Sequence, residues 1–311
     1  MKTFLDYAST KYYAGDPIIS DEEFDKLAEY CNYESVGTSV VGNSVPHAFP
    51  MWSLQKIYTD EALIDYGLDT IKTTKLDGAA ISIVYVYGRM VRALTRGDGK
   101  AGHIITSNVK CLVPEFISGF SKYPLIQLTG EVIAPKTIEN ARNYAAGALG
   151  LKDVEEFKTR TLNFIAYGMF PYQYNSWSED MECLQELGFD TVLTSDLSAY
   201  PEDGIVYRVN DYYHFDEMGY TSKHPRGAFA LKERKGGVVT QLLDVTWQVG
   251  RSGVVSPVAI LEPIVIGGAT VSRATLHNIK YIQELDLDIG CLVEVVRSGE
   301  IIPKVIRRIY D

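Results

Sequence analysis

The spacing of apolar positions changes twice along the chain. At the front, Phe24, Leu27, Ala28 and Cys31 fall at i, i+3, i+4 and i+7 behind a Ser20–Glu23 capping pair, which predicts a helical opening segment with one apolar face. Asn43 to Pro50 holds two prolines and reads as a linker. From about 50 to 236 the pattern is mixed. Ala79 to Leu94 reads as two strands around a Tyr87-Gly88 turn, and Leu125 to Ile133 and Leu162 to Met169 as further strands. Thr137 to Gly150 and Ser178 to Gly188 read as helices, the second ending on its glycine, and Gly204 to Val209 and Ala228 to Lys232 as short strands. These elements alternate without a regular βαβ period, which favours α+β over a doubly wound sheet. Past 237 helix signals thin out. Val245, Trp247 and Val249 alternate with polar positions, Val258 to Val265 and Leu292 to Val296 are β-rich, and glycines punctuate the runs, as in a small barrel.

Composition narrows the class. The 311 residues suffice for two domains and a small third, and 46 % hydrophobic with 23 % charged residues is ordinary for a globular protein. No apolar run reaches the roughly 18 residues of a membrane span, and the first residues lack a secretory pattern, so a cytoplasmic protein is expected. Cys31, Cys111, Cys183 and Cys291 are widely spaced with no CxxC pair, which argues against zinc and against a disulfide framework. Net charge is −10, unevenly spread: residues 218–311 carry 12 Lys and Arg against 9 Asp and Glu, residues 1–217 carry 18 against 31. The last third therefore has the better surface for phosphates. No internal repeat or low-complexity tract occurs.

The chemistry centres on Lys75-Leu76-Asp77-Gly78. Lysine is a nucleophile only as the free amine, a form promoted by burial or by neighbouring positive charge. Alone, the tetrapeptide is as well explained by a surface lysine before an Asp-Gly turn. Four further blocks follow in order: Thr95-Arg96-Gly97-Asp98-Gly99, Gly130-Glu131-Val132, Asp203-Gly204-Ile205-Val206-Tyr207-Arg208-Val209 and Ala230-Leu231-Lys232. Each has a structural explanation of its own, such as a solvated turn for Arg96 or an ordinary turn for Asp203-Gly204. In this order they resemble the covalent nucleotidyltransferase superfamily of ligases and capping enzymes.

Longer stretches resemble bacterial NAD⁺-dependent DNA ligases: TKLDGAAISIVYVYGRMVRALTRGDGKAGHIITSNV, MWSLQKIYTDEAL, ARNYAAGALGLKD, YTSKHPRGAFALK, QVGRSGVVSPVAILEPIVIGGATVSRATLHN and IGCLVEVVRSGEIIPKV. YYAGDPIISDEEFDKL resembles the nicotinamide-mononucleotide-binding domain that separates this class from ATP-dependent ligases. The resemblance covers about residues 12 to 307. It implies a small helical N-terminal domain at 1–48, a nucleotidyltransferase (adenylation) domain at 49–236 and an OB-fold barrel at 237–311.

It also implies a reaction. Lys75 accepts AMP from NAD⁺, AMP passes to the 5′-phosphate of a nick, and the 3′-hydroxyl displaces it. Arg208 and Lys232 would neutralise the AMP phosphate and lower the pKa of Lys75; Asp77 and Glu131 would hold hydrated Mg²⁺ or Mn²⁺. Ser53, Leu54, Thr73 and Arg96 would line the nucleotide site, and Tyr12, Tyr13, Asp21 and Asp25 would grip the nicotinamide mononucleotide. Arg142, Arg251, Arg273 and Arg297 would face nicked duplex DNA. The implied partner is DNA, without membrane and without zinc, for a protein acting as a monomer or with a second subunit.

Several positions depart from the family's pattern. Thr73 stands where a glutamate usually reads adenine, Arg208 where a lysine is usual, Tyr13 and Phe24 where His and Tyr are expected, and Gly150 in place of an arginine, with Lys152 nearby. The zinc, helix-hairpin-helix and BRCT modules of the family are not in this sequence, which suggests a compact, phage or viral version working in a host cytoplasm. Two other readings compete: an RNA- or ATP-using nucleotidyltransferase of the same fold, and a decayed, nick-binding module.

Overall fold

The computed structural model describes residues 1–13, 16–31, 33, 44–233, 237–249, 255–266, 269–298 and 302–310. The chain forms two compact units, Met1–Glu233 and Arg234–Asp311.

The first unit opens with helices α1 (Lys2–Tyr13) and α2 (Asp21–Tyr30), the latter closed by the Ser20–Glu23 capping box that its sequence predicts. Then come strands β1 (Val45–Pro46), β2 (Gln55–Tyr58), β3 (Thr70–Leu76), β4 (Ala79–Val86), β5 (Arg89–Thr95) and β6 (Ala101–Gly102). After helix α3 (Thr106–Val109) follow β7 (Leu125–Ile133), α4 (Ala141–Leu149), α5 (Val154–Lys158), β8 (Asn163–Phe170), α6 (Trp177–Glu186) and β9 (Asp190–Thr191). The unit ends with β10 (Glu202–Val209), α7 (Tyr212–Met218) and β11 (Ala228–Lys232).

These strands make two main sheets. One has the order β5-β4-β7-β8-β9, the other β2-β11-β10-β3. Strand β4 shows why the first sheet is apolar on both faces. Ile81, Ile83 and Tyr85 enter a large core with α4 and α6 residues such as Ala145 and Met181. The alternate residues Val84 and Val86 pack on Phe4, Leu5 and Ala8 of α1 and Leu27 of α2. A period of two along one strand thus builds two cores, and the front helices close the second of them.

Residues 44–50 do not form the expected linker. Val45 and Pro46 pair with Gly102 and Ala101, and His47 is buried against Ser82 Oγ (2.8 Å) and the carbonyl of Arg96 (3.0 Å). Two prolines exclude a helix here but leave the extended chain free to bridge a strand edge.

The second unit is a closed five-stranded barrel, in the order β12-β13-β14-β16-β15, formed by β12 (Val238–Val249), β13 (Val255–Ile266), β14 (Ala269–Thr275), β15 (Leu292–Ser298) and β16 (Ile302–Ile309). Helix α8 (Ile279–Glu284) lies between β14 and β15. Leu242, Ala259, Leu261, Val271, Val293 and Val305 fill its interior. The architecture is α+β with an OB-type barrel, as the sequence predicts. Among the described residues no helix is long and apolar enough to cross a membrane.

Candidate functional site

Strand pairing assembles the candidate site in the first unit. β3 pairs antiparallel with β10, and β10 with β11. Side chains alternate, so Thr73 and Lys75 share one face of this sheet with Val206, Arg208, Ala230 and Lys232. The register of β10 shifts between Glu202 and Ile205, where Gly204 adopts a φ of +128°. That irregularity carries Asp203 between two lysines. Lys75 Nζ donates to Asp203 Oδ2 at 3.3 Å, and Lys232 Nζ donates to the same oxygen. The three side chains are 17–25 % exposed, so the cluster is screened from bulk water without being sealed from it. Burial disfavours the Asp203 carboxylate, but the two ammonium groups outweigh it and hold its pKa below the usual value.

Lys75 and Lys232 thus meet through a shared carboxylate, with Asp203 binding both amines through one oxygen. Asp203 heads the Asp203–Val209 block that carries the resemblance, but the sequence assigns it no role of its own. The signal that could have found it is the same pair that flags Lys75: a charged residue and a glycine at the edge of an apolar strand.

A second group of charges adjoins. Asp77 follows β3, its N–H bonded to Pro201 O at 2.9 Å and its Oδ1 accepting from Arg142 Nη1 at 2.9 Å. Glu131 lies on β7 opposite Ala80 and accepts from the Gly78 N–H. The approach requires glycine: a Cβ on Gly78 would sit 2.4 Å from Val132 O and 2.9 Å from Glu131 Cγ. Burial pushes Glu131 up to about 7, against the pull of Lys75, Arg142 and Arg96. Lys75, Asp77, Arg96, Glu131 and Arg142 therefore lie within one charged group.

Other expected residues are placed apart from this group. Arg208 stands opposite Ile71, four residues along β3 from Lys75, or about 13 Å at the rise of a strand. Its guanidinium rests on the ring of Phe215 at 3.8 Å and does not touch the Lys75 amine. Thr73 lies between the two on the same face. Ser53 is exposed, its N–H bonded to Lys223 O at 3.1 Å, and Leu54 packs with Val209, Phe215 and Ala228. Tyr12 and Tyr13 end α1, and Asp21 and Asp25 lie on α2; their side chains fall outside the described residues. In the barrel Arg273 is exposed on β14, Arg297 lies on β15 with its side chain outside the description, and Arg251 is outside the described residues.

Among the described residues no group of three His, Cys, Asp or Glu side chains could cage a metal. The two donors the sequence suggests, Asp77 and Glu131, are both carboxylates. Such a set fits a hard, largely hydrated cation and does not fit a protein-made cage.

The model of the NAD-dependent DNA ligase adenylation domain matches residues 41–199, and that of the NAD-dependent DNA ligase OB-fold domain matches residues 239–311. The DNA ligase of Flavobacterium psychrophilum is 34 % identical, over 97 % of this chain and 56 % of its own. That of Alcanivorax borkumensis is 33 % identical, over 98 % of this chain and 48 % of its own. This chain spans about half the length of the curated relatives it matches. The solved structure "Pmar-Lig_Pre." is similar over 94 % of this chain and 71 % of its own, with 13 % identity and a TM-score of 0.48.

Proposed function

Because this chain belongs to the NAD-dependent DNA ligase family, we propose that it seals 5′-phosphate/3′-hydroxyl nicks in duplex DNA through AMP carried on Lys75. The observation that supports this most directly is the clasp of Lys75 and Lys232 on Asp203, flanked by Asp77, Glu131 and Arg142. Two ammonium groups lie there where an adenylyl phosphate would sit.

Lys75 Nζ attacks the AMP phosphorus of NAD⁺; the N–P bond forms as the bond to the bridging oxygen breaks and nicotinamide mononucleotide leaves. Lys75 must first lose its proton. Asp203, already satisfied by Lys232, is a poor acceptor and acts as a holder of charge. An incoming phosphate competes with Asp203 for Lys232, loosening the clasp on both lysines. Lys232 then neutralises charge on the equatorial oxygens in each phosphoryl step. Asp77 and Glu131 would hold hydrated Mg²⁺ or Mn²⁺, which would supply further neutralisation of the phosphoryl oxygens when bound.

Thr73, Arg96, Arg208, Ser53 and Leu54 complete the nucleotide site, and Tyr12, Tyr13, Asp21 and Asp25 take the leaving nicotinamide mononucleotide. Arg142, Arg251, Arg273 and Arg297 face DNA. A phage or viral source belongs to the same proposal; a gene embedded in a cellular operon would count against it.

Incubation with NAD⁺ and Mg²⁺ should add one AMP to the intact mass, and Lys75→Ala should add none. An adduct persisting in Lys75→Ala, or forming with ATP and not with NAD⁺, overturns the assignment.

A further inference from the structure

Arg208 is seated on aromatic rings and not on carboxylates. Its guanidinium carbon lies 3.8 Å from the ring centre of Phe215, 5.7 Å from that of Tyr212 and 5.9 Å from that of Trp177. Its Nε is buried without a hydrogen-bond partner. The rings come from two helices: Trp177 opens α6, and Tyr212 and Phe215 lie on α7.

The box is itself braced. Asp180, fully buried on α6, accepts from the Tyr212 hydroxyl at 2.6 Å and from the N–H groups of Gln173 and Tyr174 at 3.1 and 3.2 Å. Tyr172 stacks on Tyr212 with centroids 3.5 Å apart and planes within 10°. The indole N–H of Trp177 donates to Tyr167 O at 3.0 Å. Neither Tyr212 nor Trp177 can turn without losing a buried bond.

Such a box discriminates between cations. A guanidinium is planar and weakly hydrated, and it lies flat on a ring; an ammonium is compact, strongly hydrated and needs acceptors for three N–H bonds. Rings offer no such acceptors. The Arg208 carbon is close enough to Phe215 for face contact, and the strand register fixes where its stem begins, two positions beyond the Val206 that pairs with Thr73.

We infer that Trp177, Tyr212 and Phe215, braced by Asp180, are positioning residues that hold Arg208 in one orientation toward the part of the bound adenylate remote from Lys75, and that this box makes arginine, and not lysine, the residue the site uses at 208. The identity of the bound group rests on the ligase reading above.

Single-turnover transfer of AMP from NAD⁺ to the protein tests the coupling. Arg208→Lys should slow transfer about tenfold in the otherwise wild-type chain but less than about threefold in a Phe215→Leu background, the signature of two coupled side chains. Equal cost in both backgrounds overturns the inference. A second measurement needs neither substrate nor the leucine variant. The Arg208 Nε–H resonance, assigned by its loss in Arg208→Lys, should be shifted upfield by the Phe215 ring and exchange slowly with solvent; an ordinary, rapidly exchanging resonance overturns the box. A wild-type chain with the shifted resonance that takes no AMP from NAD⁺ supports the box and sinks the ligase reading.

Discussion

At the scale of single residues, burial of a carboxyl costs stability, and Glu131 shows it. Its carboxyl is pushed up to about 7 by burial, while the unfolded chain titrates near the ordinary glutamate value. Between about pH 4.5 and 7 the unfolded chain therefore binds fewer protons than the folded one, and stability falls as pH rises through that window; above it the cost is constant. The shift corresponds to at most about 3 kcal/mol. Glu131→Gln should therefore stabilise the protein by roughly 1–3 kcal/mol at pH 8, with most of that gain absent at pH 5. Urea unfolding at the two pH values measures it, and an equal gain at both would show that ionisation of Glu131 is not its origin. Asp203 has the opposite sign, a carboxylate kept charged by two lysines. It carries no role in the sequence reading because an Asp-Gly pair is usually a turn, whereas Lys75, Asp77 and Glu131 take theirs from the order of the blocks along the chain.

At the scale of elements, hydrophobic pattern was a good guide wherever a strand buries one or both faces. The boundaries of β7 and β11 match the sequence reading, and those of β8 and β10 lie within two residues of it. Strand β3 was not legible: in Thr70–Leu76 only Leu76 is buried, so no period of two shows. On the proposed function β3 lines an open site, where polar side chains face a ligand and not a core. Arg208 was legible as a charged strand residue, but its aromatic seat was not, since it needs the turn that folds Tyr212 and Phe215 back over the strand and a third ring, Trp177, from a helix thirty-one residues earlier. The irregularity in β10 has a sharper consequence. A Cβ on Gly204 would lie 2.2 Å from Leu231 O, and its φ of +128° suits glycine alone. Gly204→Ala should cost about 2–3 kcal/mol and slow AMP transfer by displacing Asp203. Gly147, helical and with nothing within 4 Å of an added Cβ, provides the control: alanine there should stabilise by about 0.5–1 kcal/mol and leave AMP transfer unchanged. Similar losses at both positions would mean that Gly204 has no special role.

At the scale of the whole molecule, the chemistry and the bulk of the expected DNA contacts divide between two units. Lys75, Asp77, Glu131, Asp203, Arg208 and Lys232 all lie within Met1–Glu233, which has its own cores, whereas Arg251, Arg273 and Arg297 belong to Arg234–Asp311. The overall charge of −10 suits the first task better than the second: a dinucleotide is bound by a few placed cations, but a duplex is bound by a field that salt screens. If the chain acts as the proposed ligase, taking AMP from NAD⁺ should need only the first unit, and sealing should need both. A fragment of residues 1–233 is expected to acquire one AMP from NAD⁺ at a rate within about threefold of the full chain, because every residue proposed to touch the adenylate belongs to that unit. The same fragment should fail to join a nick that already carries AMP on its 5′-phosphate, a step in which the nick itself must be gripped. Intact mass for the first reaction and gel-resolved joining for the second separate the two steps. Joining by the fragment at the full chain's rate would remove the barrel from DNA binding, and a folded fragment unable to take AMP would place part of the nucleotide site in the second unit.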